Sequence, residues 1–190
     1  PYTPNESGHA SVLATFVLPP TNIIEINPNM ELDSLELAAR NGYPNPSIPG
    51  IGSALVPIPL KPSEFYMMTD RGVNFDYVNS AGKVNGKVFP MPKFTPAIVH
   101  VKLEQDKIVL VRSIPIVDSQ EKPVTGLSNN KDDETIYANQ SGETLKFNPA
   151  GLDVEALQLL PDGKFLIAEE YGPSVAVVDQ GGSLGLPRVL

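Results

Sequence analysis

Carboxylates are concentrated near the ends of three predicted β-strands, where they could bind a metal ion. They are Asp70, Asp153, Glu155, Glu169 and Glu170. Oxygen ligands in a chain with no cysteine and two histidines suit a hard cation, with Ca²⁺ preferred over Mg²⁺. Such an ion would polarise a phosphoryl or carbonyl oxygen and lower the pKa of a bound water. The alternative is structural, because acids also collect where they accept backbone N–H bonds or pair with Arg71.

Two segments that contain three of these acids, Asp70, Glu169 and Glu170, resemble each other at a spacing of one hundred residues. Residues 65–72 are Phe-Tyr-Met-Met-Thr-Asp-Arg-Gly, and residues 165–172 are Phe-Leu-Ile-Ala-Glu-Glu-Tyr-Gly. Both patterns predict a buried strand followed by a carboxylate, one variable residue and a glycine. Strand ends that recur in this way build metal and substrate sites in repeat folds, so the repeat predicts that the acids gather at one place.

The repeat also distinguishes between two adjacent glutamates. Neighbouring residues of an ideal strand point to opposite faces, so only one of Glu169 and Glu170 can face the site. The repeat aligns Asp70 with Glu170. We therefore prefer Glu170, with Glu155 as its neighbour across the hairpin.

Four residues near the acids are candidates for binding substrate: Arg71, Asn74, Thr125 and Tyr171. Arg71 could clamp a phosphate or carboxylate bidentately, or form a structural salt bridge with Glu155 or Glu170. Tyr171 could donate a hydrogen bond to substrate or serve only as a packing residue before Gly-Pro. Thr125 could present its hydroxyl at the mouth of the site.

The composition indicates a globular, acidic chain. The 190 residues are 41% hydrophobic with a formal net charge of −8, which argues against nucleic-acid binding because that needs a basic face. The absence of cysteine excludes disulfides and thiolate metal sites. No apolar run approaches the roughly 18 residues of a membrane span. A start at Pro1 fits a mature end after signal-peptide removal and predicts a secreted or periplasmic protein.

Proline and glycine divide the chain into short segments. The 20 prolines are about twice the usual share of roughly 5%. Met30–Arg40 is the only segment with a helical pattern, and residues 22–27 form a short apolar run. The predicted strands are Ser11–Leu18, Ala54–Ile58, Glu64–Thr69, Ala97–Leu103, Ile108–Ile116, Thr135–Ala138, Ala156–Leu160, Phe165–Ala168 and Val175–Val178. We expect hairpins at 97–116 and 156–168.

Consecutive hairpins with a long-period repeat favour an all-β fold of the β-propeller type over the alternative, a β-sandwich. At about 45 residues per four-stranded blade, the chain would form about four blades, one of them at about residues 97–145. An incomplete ring exposes strand edges. We therefore expect a second polypeptide or a C-terminal half to complete the propeller.

Several motifs occur in the order found in the phytase-like family, described as esterase-like activity of phytase. They are Ile-Gly-Ser-Ala-Leu at 51–55, residues 65–74, Lys-Val-Phe-Pro-Met-Pro at 87–92, Phe-Thr-Pro at 94–96, Pro-Val-Thr-Gly-Leu at 123–127, Gly-Leu-Asp-Val-Glu at 151–155 and residues 165–174. The chain resembles the family over about residues 48–180. It departs from the family pattern at Val73, Val154, Ala156 and Glu169, where the family has Pro, Pro, Gly and Asp, and these changes leave the carboxylates in place.

The resemblance implies a secreted or periplasmic β-propeller hydrolase that requires calcium. It divides the chain into residues 1–47, an N-terminal strand and short helix that could belong to the first blade, and residues 48–190, which hold blades that are incomplete without further sequence.

These observations lead to one principal hypothesis and two alternatives. The first is an exported, metal-assisted hydrolase of phosphate or carboxylic esters. Glu155 and Glu170, with Asp70, Asp153 and Glu169 as further candidate ligands, would hold the cation, and Arg71 would steer a small anionic ester. The second is a non-catalytic, calcium-stabilised propeller that binds a ligand or a partner protein. The third is a subunit whose chief role is to complete a larger complex.

Overall fold

β-Strands account for most of the secondary structure in a computed structural model, which describes residues 14–19, 23–27, 32–42, 50–129 and 134–185. The strands are β1 (Ala54–Ile58), β2 (Lys61–Met68), β3 (Phe75–Val78), β4 (Val84–Val88), β5 (Ala97–Glu104), β6 (Lys107–Pro115), β7 (Ile136–Tyr137), β8 (Val154–Leu159), β9 (Phe165–Glu169) and β10 (Ser174–Val178). The helices are α1 (Ile23–Ile26) and α2 (Leu32–Arg40). The all-β prediction is confirmed.

The N-terminal part contributes little regular structure to the described chain. Helix α2 confirms the predicted helix, whereas α1 is a single helical turn in a segment that we had not expected to be helical. Of the strand predicted at Ser11–Leu18, residues 11–13 lie outside the described residues, and Val17 forms an isolated bridge with Lys107. None of the helices in the described part of the chain has the length and apolarity needed to cross a membrane.

The largest sheet has four antiparallel strands in the order β1-β2-β5-β6. Its β5–β6 hairpin confirms the one predicted at 97–116. The blade expected at 97–145 is wrong, because β5 pairs with β2 (Met67 opposite Val99) and so completes the first sheet instead of starting another. The chain leaves this sheet after β2, forms β3 and β4 elsewhere, and returns to the sheet at β5.

A second sheet, in the order β10-β9-β8, repeats the geometry of the first hairpin. Leu55 lies opposite Met67 in the β1–β2 hairpin, and Leu157 lies opposite Ile167 in β8–β9. The sequence repeat therefore corresponds to two hairpins in the same register. In each of them the repeated acid comes just after the second strand: Glu170 follows β9 directly, and Asp70 follows β2 after one intervening residue.

The main hydrophobic core joins these two sheets. Strand β8 packs beside β1 and β2, and the buried side chains come from both sheets. They include Met68, Ile98, Ile114, Leu152, Val154, Phe165 and Ile167. Fully burying an aliphatic or aromatic side chain contributes about 1.5–3 kcal/mol. Burial of this size holds β1 and β8 side by side, and it thereby fixes the distance between the strand ends that carry the acids.

A small third sheet, in the order β3-β4-β7, is inserted between β2 and β5 and is completed by the parallel strand β7. The sequence did not predict β3 and β4, because Asn85-Gly86 in the middle of β4 is typical of a turn. The structure needs glycine there for a different reason. A Cβ on Gly86 would lie 2.0 Å from the carbonyl oxygen of Thr135, which begins the approach to β7.

Three tight turns between strands share one construction. An Asn or Asp side chain, from Asn79, Asp118 or Asp179, accepts hydrogen bonds of 2.8–3.1 Å from the backbone N–H groups two and four residues later. The residue three positions later has a left-handed backbone. It is Gly82 (φ 72°), Glu121 (φ 61°) and Gly182 (φ 93°), respectively.

Replacing Glu121 by Gly is expected to stabilise the protein by about 0.5–1 kcal/mol. A left-handed residue with a side chain costs about 1–2 kcal/mol, and the greater freedom of glycine in the unfolded chain offsets part of this gain. Thermal and chemical denaturation measure the change. Gly82→Ala at the equivalent position is the control and should destabilise; an unchanged or lower stability of the Glu121 variant would contradict the assignment.

Candidate active site

Three carboxylates converge where the second hairpin opens. One oxygen from each of Asp153, Glu155 and Glu170 lies within 4.8 Å of the others. A backbone hydrogen bond brings the carboxylates of Asp153 and Glu170 together, because the Glu170 N–H donates to the Asp153 carbonyl at 3.0 Å. This bond extends the β8–β9 ladder by one step. Oxygens bound to Ca²⁺ at about 2.4 Å can be at most about 4.8 Å apart. The donor set therefore fits a hard cation in both chemistry and spacing.

A β-bulge directs Glu155 toward this cluster. In the β8–β9 ladder Val154 lies opposite Glu169 and Ala156 lies opposite Ala168, so Glu155 is the extra residue. Bulges of this kind turn a side chain away from its place in the regular alternation. Val154 and Leu157 are buried while Glu155 between them is exposed, so the bulge keeps the apolar positions in the core and the carboxylate in solvent.

The positive charge of Arg71 does not balance the negative charge of the carboxylates around it. Burial raises the pKa of Asp153 to about 7, with added repulsion from Glu170 and Asp70, although Arg71 acts in the opposite direction. The pKa of Glu155 is also raised, by burial and then by Glu170 and Asp70. Burial raises the pKa of Asp70 as well. A divalent cation would relieve all of these interactions.

Arg71 connects the first hairpin to the cluster. Its backbone N–H donates to Asp153 Oδ1 at 3.2 Å, and its Nε lies 3.2 Å from Asp153 Oδ2. Its Nη1 pairs with Glu134 Oε1 at 3.0 Å, and the guanidinium lies between the rings of Phe89 and Tyr171, 5.7 and 5.6 Å from their centroids. Among the described residues we find no hydrogen-bond partner for its Nη2.

Tyr171 holds Arg71 in this position. The Tyr171 hydroxyl donates to the Gly126 carbonyl at 2.7 Å and accepts from Arg71 Nη1 at 3.3 Å. Burial raises the pKa of Tyr171, although Arg71 opposes the shift, so the phenol stays protonated at any physiological pH. It therefore positions the arginine as a hydrogen-bond acceptor, while its own proton goes to the Gly126 carbonyl, and it does not act as a base.

These groups border an open cleft of about 220 Å³ lined by Arg71, Glu134, Glu170 and Tyr171. The cleft places one guanidinium beside one corner of the carboxylate cluster. A small ligand in it could contact a bound cation and Arg71 together.

Comparison with known families identifies the chain. Residues 47–189 match the family described as phytase-like, esterase-like activity of phytase. The chain belongs to the phytase-like family. This description indicates a hydrolase of the esterase or phosphatase type. Searches of curated proteins and of solved structures found no match.

In this phytase-like protein the two adjacent glutamates lie in different surroundings. Glu170 is in the cluster, whereas Glu169 is buried and its carboxylate closes the following turn. It accepts hydrogen bonds from the backbone of Tyr171 and Gly172 and from the Ser174 hydroxyl. These bonds hold the Glu169 carboxylate in the turn, outside the triad of Asp153, Glu155 and Glu170.

Three other candidates lie outside the carboxylate triad. Asp70 Oδ1 accepts from the Gly72 N–H at 2.7 Å, and Asp70 acts on Asp153 and Glu155 through its charge. The Asn74 amide donates to the Gly72 carbonyl at 3.1 Å. The Thr125 hydroxyl accepts from the Asn148 amide at 2.7 Å. Asn74 and Thr125 thus brace the loops of the phytase-like site, and neither of them lines the cleft.

Sequence reasoning missed Glu134 and mistook the partners of Arg71. Glu134 is not among the residues that the sequence singles out, yet it is half-buried and accepts hydrogen bonds from Arg71 and Ser128. Arg71 pairs with Asp153 and Glu134, and not with Glu155 or Glu170 as its structural alternative suggested. The inserted third sheet supplies two of the groups around Arg71, because Phe89 follows β4 and Glu134 precedes β7, whereas Asp153 directly precedes β8 of the second sheet.

Proposed function

We propose that this phytase-like chain forms part of an exported, metal-assisted hydrolase of phosphate or carboxylic esters. The observation that carries the proposal is the position of Arg71 beside three converging carboxylates at the edge of one cleft. A cation and a guanidinium together can bind an anionic or polarised ester oxygen. The match to the phytase-like family supports the same class of reaction.

The proposed architecture is a β-propeller of which this chain supplies part. Two antiparallel sheets of the same register, with β1 and β8 in contact, support adjacent blades. Beside the second sheet Leu184 forms an isolated antiparallel bridge with Val178 of β10. The acids lie where the two hairpins meet, which in a propeller is near the axis. A second polypeptide or a C-terminal half would complete the ring.

In this site Glu155, Glu170 and Asp153 would hold Ca²⁺, with Asp70 adding to the negative field. When bound, the ion supplies a Lewis acid for the ester oxygen and lowers the pKa of water. Arg71 binds and orients the anionic group of the substrate through the side that faces the cleft. Tyr171 and Glu134 keep the guanidinium at a fixed angle, which reduces the entropy lost on binding.

The test uses the purified protein, its native mass, and p-nitrophenyl esters of carboxylic and phosphoric acids. We expect turnover that requires Ca²⁺, stops on addition of a chelator and returns when Ca²⁺ is restored. Thermal denaturation in the same buffers reports whether the ion binds. Turnover that is unaffected by a chelator, or no ester hydrolysis by an assembled protein that binds calcium, would refute the proposal.

One observation favours the second candidate, a non-catalytic, calcium-stabilised propeller. Arg71 is already engaged by Asp153, Glu134 and Tyr171, and such a network can hold two sheets together without binding any substrate. This candidate predicts that chelation lowers the melting temperature while none of the esters is hydrolysed.

A further inference from the structure

The cleft beside Arg71 is acidic even after a cation is counted. Arg71 is the sole basic side chain among the described residues that line it. The carboxylates around it are Asp70, Glu134, Asp153, Glu155 and Glu170. When a bound divalent ion keeps all five carboxylates ionised, their five negative charges, against one positive charge of Arg71 and two of the ion, leave a net charge of about −2.

This charge acts on any substrate that enters the cleft. Two like charges about 4 Å apart repel each other enough to weaken binding roughly fivefold in a water-like dielectric, and more where water is excluded. One anionic group can be matched by Arg71 and the ion together. A second anionic group would find carboxylates, since Glu134 and Glu170 lie on the remaining lining.

The volume of the cleft also favours a small substrate. Its volume of about 220 Å³ is below the roughly 300–1,000 Å³ typical of sites that enclose a drug-sized ligand. It therefore accommodates the reacting ester and a short substituent. The rest of a larger substrate would lie outside it.

We propose that the substrates are small esters that carry no more than one negative charge, and that Glu134 enforces this limit by placing a carboxylate directly beside Arg71. This inference rests on the proposed hydrolase function and narrows it. Polyanionic phosphate esters are then poor substrates, because the described residues bring one arginine to the cleft for several phosphates. Glu134 acts as a specificity-determining residue.

The test compares esters with the same leaving group that differ in one remote carboxylate. Suitable pairs are p-nitrophenyl butyrate with mono-p-nitrophenyl succinate and, for phosphodiesters, methyl with 2-carboxyethyl p-nitrophenyl phosphate. A third carboxylic ester with two remote carboxylates extends the first series. With calcium at pH 8, and after correction for uncatalysed hydrolysis, we expect kcat/KM to fall roughly fivefold or more for each charge beyond the first. Added NaCl should narrow the difference.

Glu134→Gln keeps the hydrogen-bonding shape and removes the charge. It should raise kcat/KM for the doubly charged ester relative to the neutral one by about threefold to tenfold. The matched control is Asp162→Asn at the exposed β8–β9 turn, the opposite end of that hairpin, which should leave the ratio unchanged. Equal or better use of the doubly charged esters would overturn the charge limit while leaving the hydrolase function intact. No hydrolysis of any ester in the series would overturn both.

Discussion

Replacing Glu155 by Gln is expected to reduce calcium-dependent ester hydrolysis by about 100-fold or more, because loss of a direct ligand exceeds the usual cost of losing a supporting contact. The fold should survive the change, since Glu155 is a bulged, exposed residue at the start of β8. The measurement is kcat/KM over a calcium titration, with the melting temperature recorded in parallel.

The stability of this variant provides an independent check. The folded-state pKa of Glu155 is raised, by burial and by repulsion from Glu170 and Asp70, so the ionised carboxylate lowers stability above its ordinary pKa. Without calcium the variant should be at least as stable as the native chain. With calcium at about 100 times the dissociation constant, the native chain should gain about 2.7 kcal/mol, and the variant much less.

The matched control is Glu104→Gln, which removes an exposed carboxylate paired with Lys102 on β5. It should change neither the calcium-dependent hydrolysis nor the stability gained from calcium. Full calcium-dependent turnover in the Glu155 variant would remove Glu155 from the site. Loss of stability without calcium would instead show that its role is structural.

Replacing Gly126 by Ala is expected to cost about 3 kcal/mol or more, because the change overpacks a rigid backbone contact. A Cβ at this position would lie 1.8 Å from the Arg71 carbonyl oxygen, with two further Arg71 backbone atoms within 2.7 Å. No flexible side chain can move aside there. Activity should fall as well, since the Gly126 carbonyl anchors the Tyr171 hydroxyl.

Chemical denaturation measures the loss of stability. Gly52→Ala is the control, because an added Cβ there meets nothing within 4 Å. If both variants unfold at the same denaturant concentration, the close approach of residue 126 to Arg71 is not a feature of the protein in solution.

Much of the fold follows from local sequence. Strand β1 has the predicted bounds, and the two expected hairpins form. What local sequence could not show is which strands share a sheet. The pairing of β2 with β5 joins strands that are separated by 28 residues of chain. Asn85-Gly86 concealed β4 because this dipeptide is typical of a turn, whereas the glycine is needed for close contact with Thr135, about fifty residues away.

In the candidate site, too, local sequence predicted some features, and contacts between distant residues determine the others. Alternation and the repeat selected Glu170 over Glu169, because both are local signals. The importance of Glu134 depends on its pairing with Arg71, 63 residues earlier in the chain, and a charged residue after polar sequence gives no sign of this. The bulge at Glu155 was likewise invisible, since it becomes defined only when β8 pairs with β9.

Asp153 is shared between two partners, and this has a thermodynamic consequence. Both of its carboxylate oxygens contact Arg71, and an oxygen of the same carboxylate belongs to the cluster. A cation bound to Asp153 weakens the ion pair between Asp153 and Arg71. A substrate anion bound to Arg71 weakens the same ion pair, which strengthens the interaction of Asp153 with the cation. Such coupling has the same magnitude in both directions. Ion and anion would then bind with heterotropic cooperativity, each increasing the affinity for the other.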